Sequence, residues 1–207
     1  MPDVTAEEVH RYWFDDALAA PSQASARMSF WFRAGRETDR YITRIFVPLL
    51  REAALGALAD WQLAARSCLS LVIVLDQFPR NIHRGTPAAF EHDAAALRVT
   101  RCGIAAGHLQ VLCALEQAFL LMPYQHCEDS ALQREGIAWY ERMLNDAPYE
   151  WRTVLDDFVR SARKHAELIE RFGRFPHRNS ILGRVSTAAE RAFLESNSES
   201  FGQEAPL

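Results

Sequence analysis

The chain has 207 residues, of which 49% are hydrophobic and 24% charged, and its formal net charge is −4. A chain of this length and balance is expected to fold as one helical domain over residues 1–207, which excludes a disordered or collagen-like protein. Binding to a phosphate backbone depends on clustered cations, which an acidic chain lacks. We therefore expect no nucleic-acid partner.

Neither a membrane segment nor a secretion signal is visible. The strongest β-branched apolar run, Leu69–Leu75, is about seven residues long, whereas a bilayer requires about 20. Residues 1–11 are acidic and lack the apolar core of a signal peptide. None of the four cysteines lies in a CxxC pair, and Cys113 follows Leu112 as a buried free thiol does. These features predict a cytoplasmic protein that has no disulfides and no membrane contact.

Almost every segment shows the helical spacing of apolar residues. Thr5 and Glu8 have the spacing of a capping box, which predicts a helix start. Residues 41–53 form an amphipathic pattern that contains Pro48, which should kink the helix. Residues 64–75 are mostly apolar, and their β-branched side chains also suit a buried strand. No second strand-like run exists to pair with them, so we predict a central buried helix.

The second half of the chain continues in the same way. Thr86-Pro87 predicts a helix start, because Thr is a good N-cap and Pro is tolerated in the first turn. Residues 109–122 predict a buried helix that Pro123 ends. Residues 148–173 keep the helical period over about six turns.

The C-terminal part adds two more helices. Residues 130–144 carry apolar side chains on one side, and Thr187 with Glu190 has capping-box spacing before a last helix. The tail after Ser196 is polar and is expected to fray. No hairpin signal appears in the chain. We therefore predict an all-α domain of eight or nine helices.

Three helix ends are dense in polar groups, and each contains a proline that forces the chain out of the helix. They are Asp76–Arg84, Met122–Asp129 and Arg171–Asn179. Loops at helix ends often carry binding groups. Because two segments carry arginines and the other carries acids, we expect all three to meet at one polar site. The predicted ligand-binding residues are Asp76, Gln77, Arg80, Asn81, His126, Glu128, Arg174, His177, Arg178 and Asn179.

The first and third segments are alike. Phe78-Pro79-Arg80-Asn81-Ile82 is echoed by Phe175-Pro176-His177-Arg178-Asn179-Ser180-Ile181, 97 residues later. The echo indicates either the duplication of a helix-turn-helix unit or a coincidence. Glu116 is a further acid that could pair with these arginines, because it lies in an otherwise apolar helix and needs a partner if it is buried.

These segments carry a resemblance to a known family. The matching residues are Phe30–Phe32, Leu75–Asn81 with Arg84–Thr86, Met122-Pro123 with His126, Glu128 and Asp129, and Arg171–Asn179 with Ile181–Arg184. Together they resemble the bacterial family called domain of unknown function 924, over about residues 30–194. The resemblance implies an all-helical, tetratricopeptide-repeat-like fold. It implies no activity, because the family is named for having none assigned.

Two hypotheses treat the polar segments as something other than an enzyme. In the first, they form a binding module in which Arg80, Arg174 and Arg178 receive a small anion or an acidic peptide. In the second, they are structural clamps, that is, a buried Arg–carboxylate network that pins the helix ends.

A third hypothesis is a hydrolase. His126 or His177 would be the general base, because the pKa of histidine suits proton transfer near neutral pH. Glu128 would orient that histidine or hold a metal. No HExxH motif and no compact His–Cys set is present, so we expect neither a metal nor another cofactor. No catalytic residue is assigned, and no oligomeric state is predicted.

Overall fold

The computed structural model describes residues 4–33 and 35–196, and within these ranges the chain is helical and has no strand. The α-helices described there are α1 Ala6–Phe14, α2 Pro21–Phe32, α3 Arg36–Ala54, α4 Ala65–Val72, α5 Phe78–Ile82, α6 Asp93–Ala105, α7 Ala114–Leu120, α8 Met122–His126, α9 Ser130–Asp146, α10 Arg152–Phe172 and α11 Ala188–Ser196. A π-helical turn, Ile73–Gln77, joins α4 to α5, and only Leu121 separates α7 from α8. The described helices therefore form nine helical runs, and the prediction of an all-α domain is confirmed. The tail after Ser196 lies outside the described residues.

Both predicted capping boxes are present. The Glu8 amide donates to Thr5 Oγ1 at 3.2 Å, while the Thr5 amide donates to Glu8 Oε2 at 2.7 Å. Thr187 and Glu190 make the same two bonds at the start of α11, again 3.2 and 2.7 Å long. Gly173, which has a φ of +70°, ends α10 in the left-handed conformation. Local hydrogen bonding therefore explains where these helices begin or end.

The apolar run at residues 64–75 is a buried helix, as predicted, and not a strand. Its α4 part packs against α1 and α6, and the π-helical turn that follows is buried along its whole length. π-helical turns are uncommon and frequently lie at functional sites. This turn contains Asp76 and Gln77, and it leads into α5, which packs against α3. The helix α3 continues through Pro48.

Three local predictions are wrong. Residues 109–122 do not form one helix ended by Pro123: α7 begins only at Ala114, and Pro123 is the second residue of α8, which continues to His126 because proline is tolerated in the first turn of a helix.

Thr86-Pro87 begins only a 3-10 turn, Pro87–Phe90, and the α-helix itself starts at Asp93. Cys113 is exposed, because it is the N-cap of α7 and stands at the surface end of that helix. The buried thiol is that of Cys68. All four cysteines are free.

The helix α8 lies close to α9, because Gly136 has no side chain. A Cβ atom built at Gly136 would lie 2.5 Å from the Cβ of Tyr124, so any larger residue would push the two helices apart. The long helices α9 and α10 pack along each other, and α10 also contacts α8 and α2. This arrangement holds the end of α8, which carries His126, between α10 and the π-helical turn. None of the helices in the described ranges is long and apolar enough to cross a membrane.

Candidate functional site

The three polar segments converge in the structure. Asp76 in the first segment accepts a hydrogen bond from His126 in the second, and Asp76 Oδ1 and His126 Nδ1 are 2.7 Å apart. Glu128, also in the second segment, accepts a hydrogen bond of 2.8 Å from the Phe175 amide in the third. The Pro-containing helix ends are therefore tied to one another by direct hydrogen bonds, although they lie far apart in the sequence.

Asp76 is a buried carboxylate with several partners. It has no exposed surface, and its second oxygen accepts from Gln77 Nε2. Although burial raises the pKa of Asp76, the neighbouring His126 and Arg80 lower it to about 2. The carboxylate is therefore ionised at neutral pH. A buried carboxylate with cationic and N–H partners is a stable arrangement only while those partners remain.

His126 is oriented by this carboxylate. Because Asp76 is ionised and accepts from Nδ1, the proton of the neutral ring lies on Nδ1 and leaves Nε2 as an acceptor. Burial and the charge of Arg80 lower the pKa of His126, which keeps the ring neutral. Nε2 makes no hydrogen bond to a described residue. His126 thus presents an acceptor nitrogen beside a cavity.

Asp93 joins the two arginines of the sequence echo. Its Oδ1 is 2.8 Å from Arg80 Nη1, and its Oδ2 is 3.1 Å from Arg178 Nη1. The guanidinium of Arg178 also lies between two rings, 4.3 Å from the centre of Phe90 and 4.5 Å from that of Phe175. The echoed arginines therefore occupy corresponding roles on either side of one carboxylate. Our sequence analysis did not assign Asp93 to the site, and its position at the start of α6 gave no such signal.

The remaining charged residues of the second and third segments pair away from this centre. Glu128 binds Arg184 through two hydrogen bonds, 2.7 and 3.0 Å long. Arg174 makes an equivalent pair with Glu190 of α11, at 2.7 and 2.8 Å. Asn179 donates to Ser186 Oγ at 3.0 Å. The third segment is therefore a clamp for the C-terminal part of the described chain.

A cavity of about 290 Å³ lies between α2, α5, α8 and α10. Its polar lining is Arg33, Gln77, Arg80, Asn81, Arg84, Gln125, His126, Asp157, Ser161 and His165. Its apolar lining is Met28, Trp31, Phe32, Met122 and Phe158. The cavity therefore has a mixed lining: its three arginines come from the end of α2 and from the first polar segment, and three of its five apolar side chains come from α2.

Four of the ten predicted site residues line the cavity, and six do not. Those that line it are Gln77, Arg80, Asn81 and His126. Those that lie behind it are Asp76, Glu128, Arg174, His177, Arg178 and Asn179. Arg174 and Arg178, which were predicted to receive an anion, do not line this cavity, and each pairs with a carboxylate outside its lining. The sequence pattern could not show which face of each turn a side chain would take.

His165 is a site residue that the sequence analysis missed. Its ring centre is 6.0 Å from that of His126, and its Nδ1 lies 2.8 Å from the Ser161 carbonyl oxygen. Burial lowers the pKa of His165 to about 3, and burial with the charge of Arg178 lowers that of His177 to about 3 as well. The sequence pattern could have indicated that His165 is buried, because this residue falls on the apolar face of α10.

Glu116 has the partners that its burial requires, but it does not belong to this site. His10 Nε2 lies 2.7 Å and Arg66 Nε 3.3 Å from Glu116 Oε1. The other carboxylate oxygen accepts from the Cys113 amide at 2.8 Å, which caps α7. Within residues 4–33 and 35–196, no group of three or more His, Cys, Asp or Glu side chains is arranged to hold a metal ion.

The chain is thus an all-helical protein whose polar helix ends are joined by hydrogen bonds beside a small cavity with both polar and apolar lining residues. It belongs to the family described as "Bacterial protein of unknown function (DUF924)", whose profile matches residues 9–198. A solved structure, that of the protein of unknown function ATU0120 from Agrobacterium tumefaciens, is similar to it, with a TM-score of 0.78 and 30% sequence identity. The similarity covers 93% of this chain and 97% of that one. No curated protein matches the chain.

Proposed function

We propose that the protein binds a small organic anion in the cavity between α2, α5, α8 and α10. The observation that carries the proposal is the state of Arg33 at the end of α2. This exposed side chain lines the cavity and makes no ion pair or hydrogen bond to a described residue. Arg80 and Arg84, which line the same cavity, are held in place by Asp93 and Asp39. An anion in the cavity could therefore bind the guanidinium of Arg33, which has no partner among the described residues, together with those of Arg80 and Arg84.

The size of the cavity favours a small molecule over an acidic peptide. A volume of about 290 Å³ is at the lower end of small-molecule sites and is too small for an extended chain of several residues. The neutral His126 adds an acceptor that would receive a hydrogen bond from a ligand hydroxyl or a protonated acid. The ligand class that fits these groups is a small carboxylate or phosphate.

Inorganic phosphate is expected to raise the thermal midpoint of the full chain, compared with chloride at the same ionic strength. At about ten times Kd, binding adds about 1.4 kcal/mol of stability, which corresponds to an increase of about 3–5 °C in Tm. In the variant Arg33→Gln most of this increase should disappear, because the guanidinium of Arg33 is lost. Differential scanning fluorimetry measures the effect.

The matched control is Arg142→Gln. Arg142 is an exposed arginine on α9, outside the cavity lining, where it forms a long surface pair with Asp146 and lies 5.7 Å from the centre of the Trp139 ring. The change in charge is the same, so general electrostatic attraction would weaken equally in both variants. An equal response to phosphate in the two variants would contradict anion binding at Arg33.

A second candidate function is acid–base catalysis, which the Asp76–His126 pair favours. A buried carboxylate that accepts from Nδ1 and leaves Nε2 at a cavity is the arrangement that orients a catalytic histidine.

If the protein hydrolyses phosphoesters or carboxylic esters, His126→Gln is expected to lower the rate about 100-fold or more. A screen with chromogenic esters tests this. His83→Gln, outside the cavity, is the control and should keep the rate; no turnover by the native chain would contradict the candidate.

A further inference from the structure

We infer that the ligand is amphipathic: a carboxylate or phosphate group joined to an apolar body. This inference rests on the proposed anion binding and adds the chemistry of the rest of the ligand. Its basis is the mixed lining of the cavity. Five apolar side chains line it together with Arg33, Arg80 and Arg84. A bare inorganic anion would contact the arginines and leave the apolar side chains without a partner.

Phe32 is the clearest sign that the apolar lining is built for contact. It is 42% exposed, although it belongs to an aromatic row with Phe119 and Phe158, whose ring centres lie 6.2 and 5.8 Å away. Covering such a ring removes apolar surface from water, which is favourable. Met28 and Met122 line the same cavity as Phe32, and thioether side chains adapt to the shape of a bound group.

The volume of the cavity sets the length of the apolar body. At about 30 Å³ for each atom larger than hydrogen, the share of a water molecule in the liquid, the cavity has room for about ten such atoms. A carboxylate or phosphate takes three to five of these places at its head. The remaining space fits a chain or ring of about five to seven carbons.

The charged group of this ligand is expected against Arg33 and Arg84. Both side chains line the cavity, and Arg84 is fixed there by two hydrogen bonds to Asp39, 2.8 and 2.9 Å long. The apolar body would then lie along α2, against Trp31 and Phe32. A ligand with a positive head would meet the same arginines and be repelled, so the structure selects for the sign of the charge.

Isothermal titration of the full chain with acetate, butanoate, hexanoate and octanoate tests the inference. Each added methylene group that enters the cavity is expected to tighten Kd by about fourfold, which corresponds to about 0.8 kcal/mol. Pentyl phosphate should bind as hexanoate does, because each carries a chain of five carbons on its charged group, whereas octylamine and octanol should bind at least tenfold more weakly than octanoate.

Two variants show whether the apolar chain of the ligand binds at Phe32. Phe32→Ala is expected to weaken octanoate binding about tenfold and to leave acetate binding unchanged, because only the longer ligand reaches this ring. The control is Tyr149→Ala, which removes an aromatic side chain that is 84% exposed and lies outside the cavity lining. Octanoate binding that is unchanged in Phe32→Ala, while it depends on Arg33, would overturn the apolar site.

The outcomes separate this inference from the proposed function. The same Kd along the acid series, with dependence on Arg33, overturns the amphipathic ligand and leaves anion binding standing. Tightening with chain length that octanol and octylamine share overturns anion binding and reduces the cavity to an apolar pocket. The absence of binding by every compound overturns both.

Discussion

Replacing Arg80 with methionine is expected to lower the free energy of unfolding by about 3–5 kcal/mol, because the change strands buried carboxylates. Arg80 Nη1 lies 2.8 Å from Asp93 Oδ1, 3.7 Å from Asp76 Oδ1 and 2.6 Å from the Asp76 carbonyl oxygen. Asp76 has no exposed side-chain surface. Methionine preserves much of the apolar stem but supplies none of these hydrogen bonds. Urea denaturation followed by circular dichroism measures the loss.

The comparison variant is Arg163→Met, which removes an arginine from a surface pair. Arg163 and Glu141 are 2.7 Å apart, and their side chains are 52% and 45% exposed. Such a pair contributes about 0–1 kcal/mol, since water screens it. If Arg80→Met and Arg163→Met lose the same stability, the clamp formed by Arg80 is contradicted. A large difference supports the hypothesis that part of the polar network is structural, beside any role in binding.

Acidification from pH 6.5 to pH 5 is expected to lower the free energy of unfolding by about 2 kcal/mol for each of two histidines. Burial lowers the pKa of both His165 and His177 from 6.5 to about 3. The unfolded chain therefore takes up protons near pH 6.5, while these two rings stay neutral in the folded chain. Their contribution is fully present above pH 6.5 and is lost as the pH falls toward 3.

Denaturant titrations at several pH values measure this dependence. Between pH 6.5 and 5 most unfolded-state carboxyl groups stay ionised, so the histidines dominate the change. His165→Gln keeps a donor for the Ser161 carbonyl oxygen. The free energy of unfolding of this variant should change less steeply with pH, by about 1.4 kcal/mol for each pH unit. The rings of His126 and His177 and the guanidinium of Arg178 also disfavour the charged form of His165. A slope that His165→Gln leaves unchanged would show that this ring does not control acid stability.

Local patterns were sufficient to predict the helical class and some of the helix starts. A capping box needs only residues three positions apart, and Thr5 with Glu8 formed one where the spacing predicted it. Periodicity left helix and strand open for residues 64–75, and the lack of a second strand-like run to pair with them correctly favoured the helix. Periodicity could not reveal the π-helical turn at Ile73–Gln77, since a single widened turn hardly changes an apolar pattern.

The sequence by itself determined the all-helical class, the helix ends that are rich in polar groups, and the need of the buried acids for partners. Only the tertiary structure decided which partners they found. Asp93 binds both echoed arginines, and Arg33 borders the cavity, because helices far apart in the chain pack side by side. Helix formation depends on contacts within one turn. Pro79 and Pro123 lie in the first turns of α5 and α8 and do not force the chain out of the helix as predicted. The direction of a side chain at such a helix end depends on every element around it.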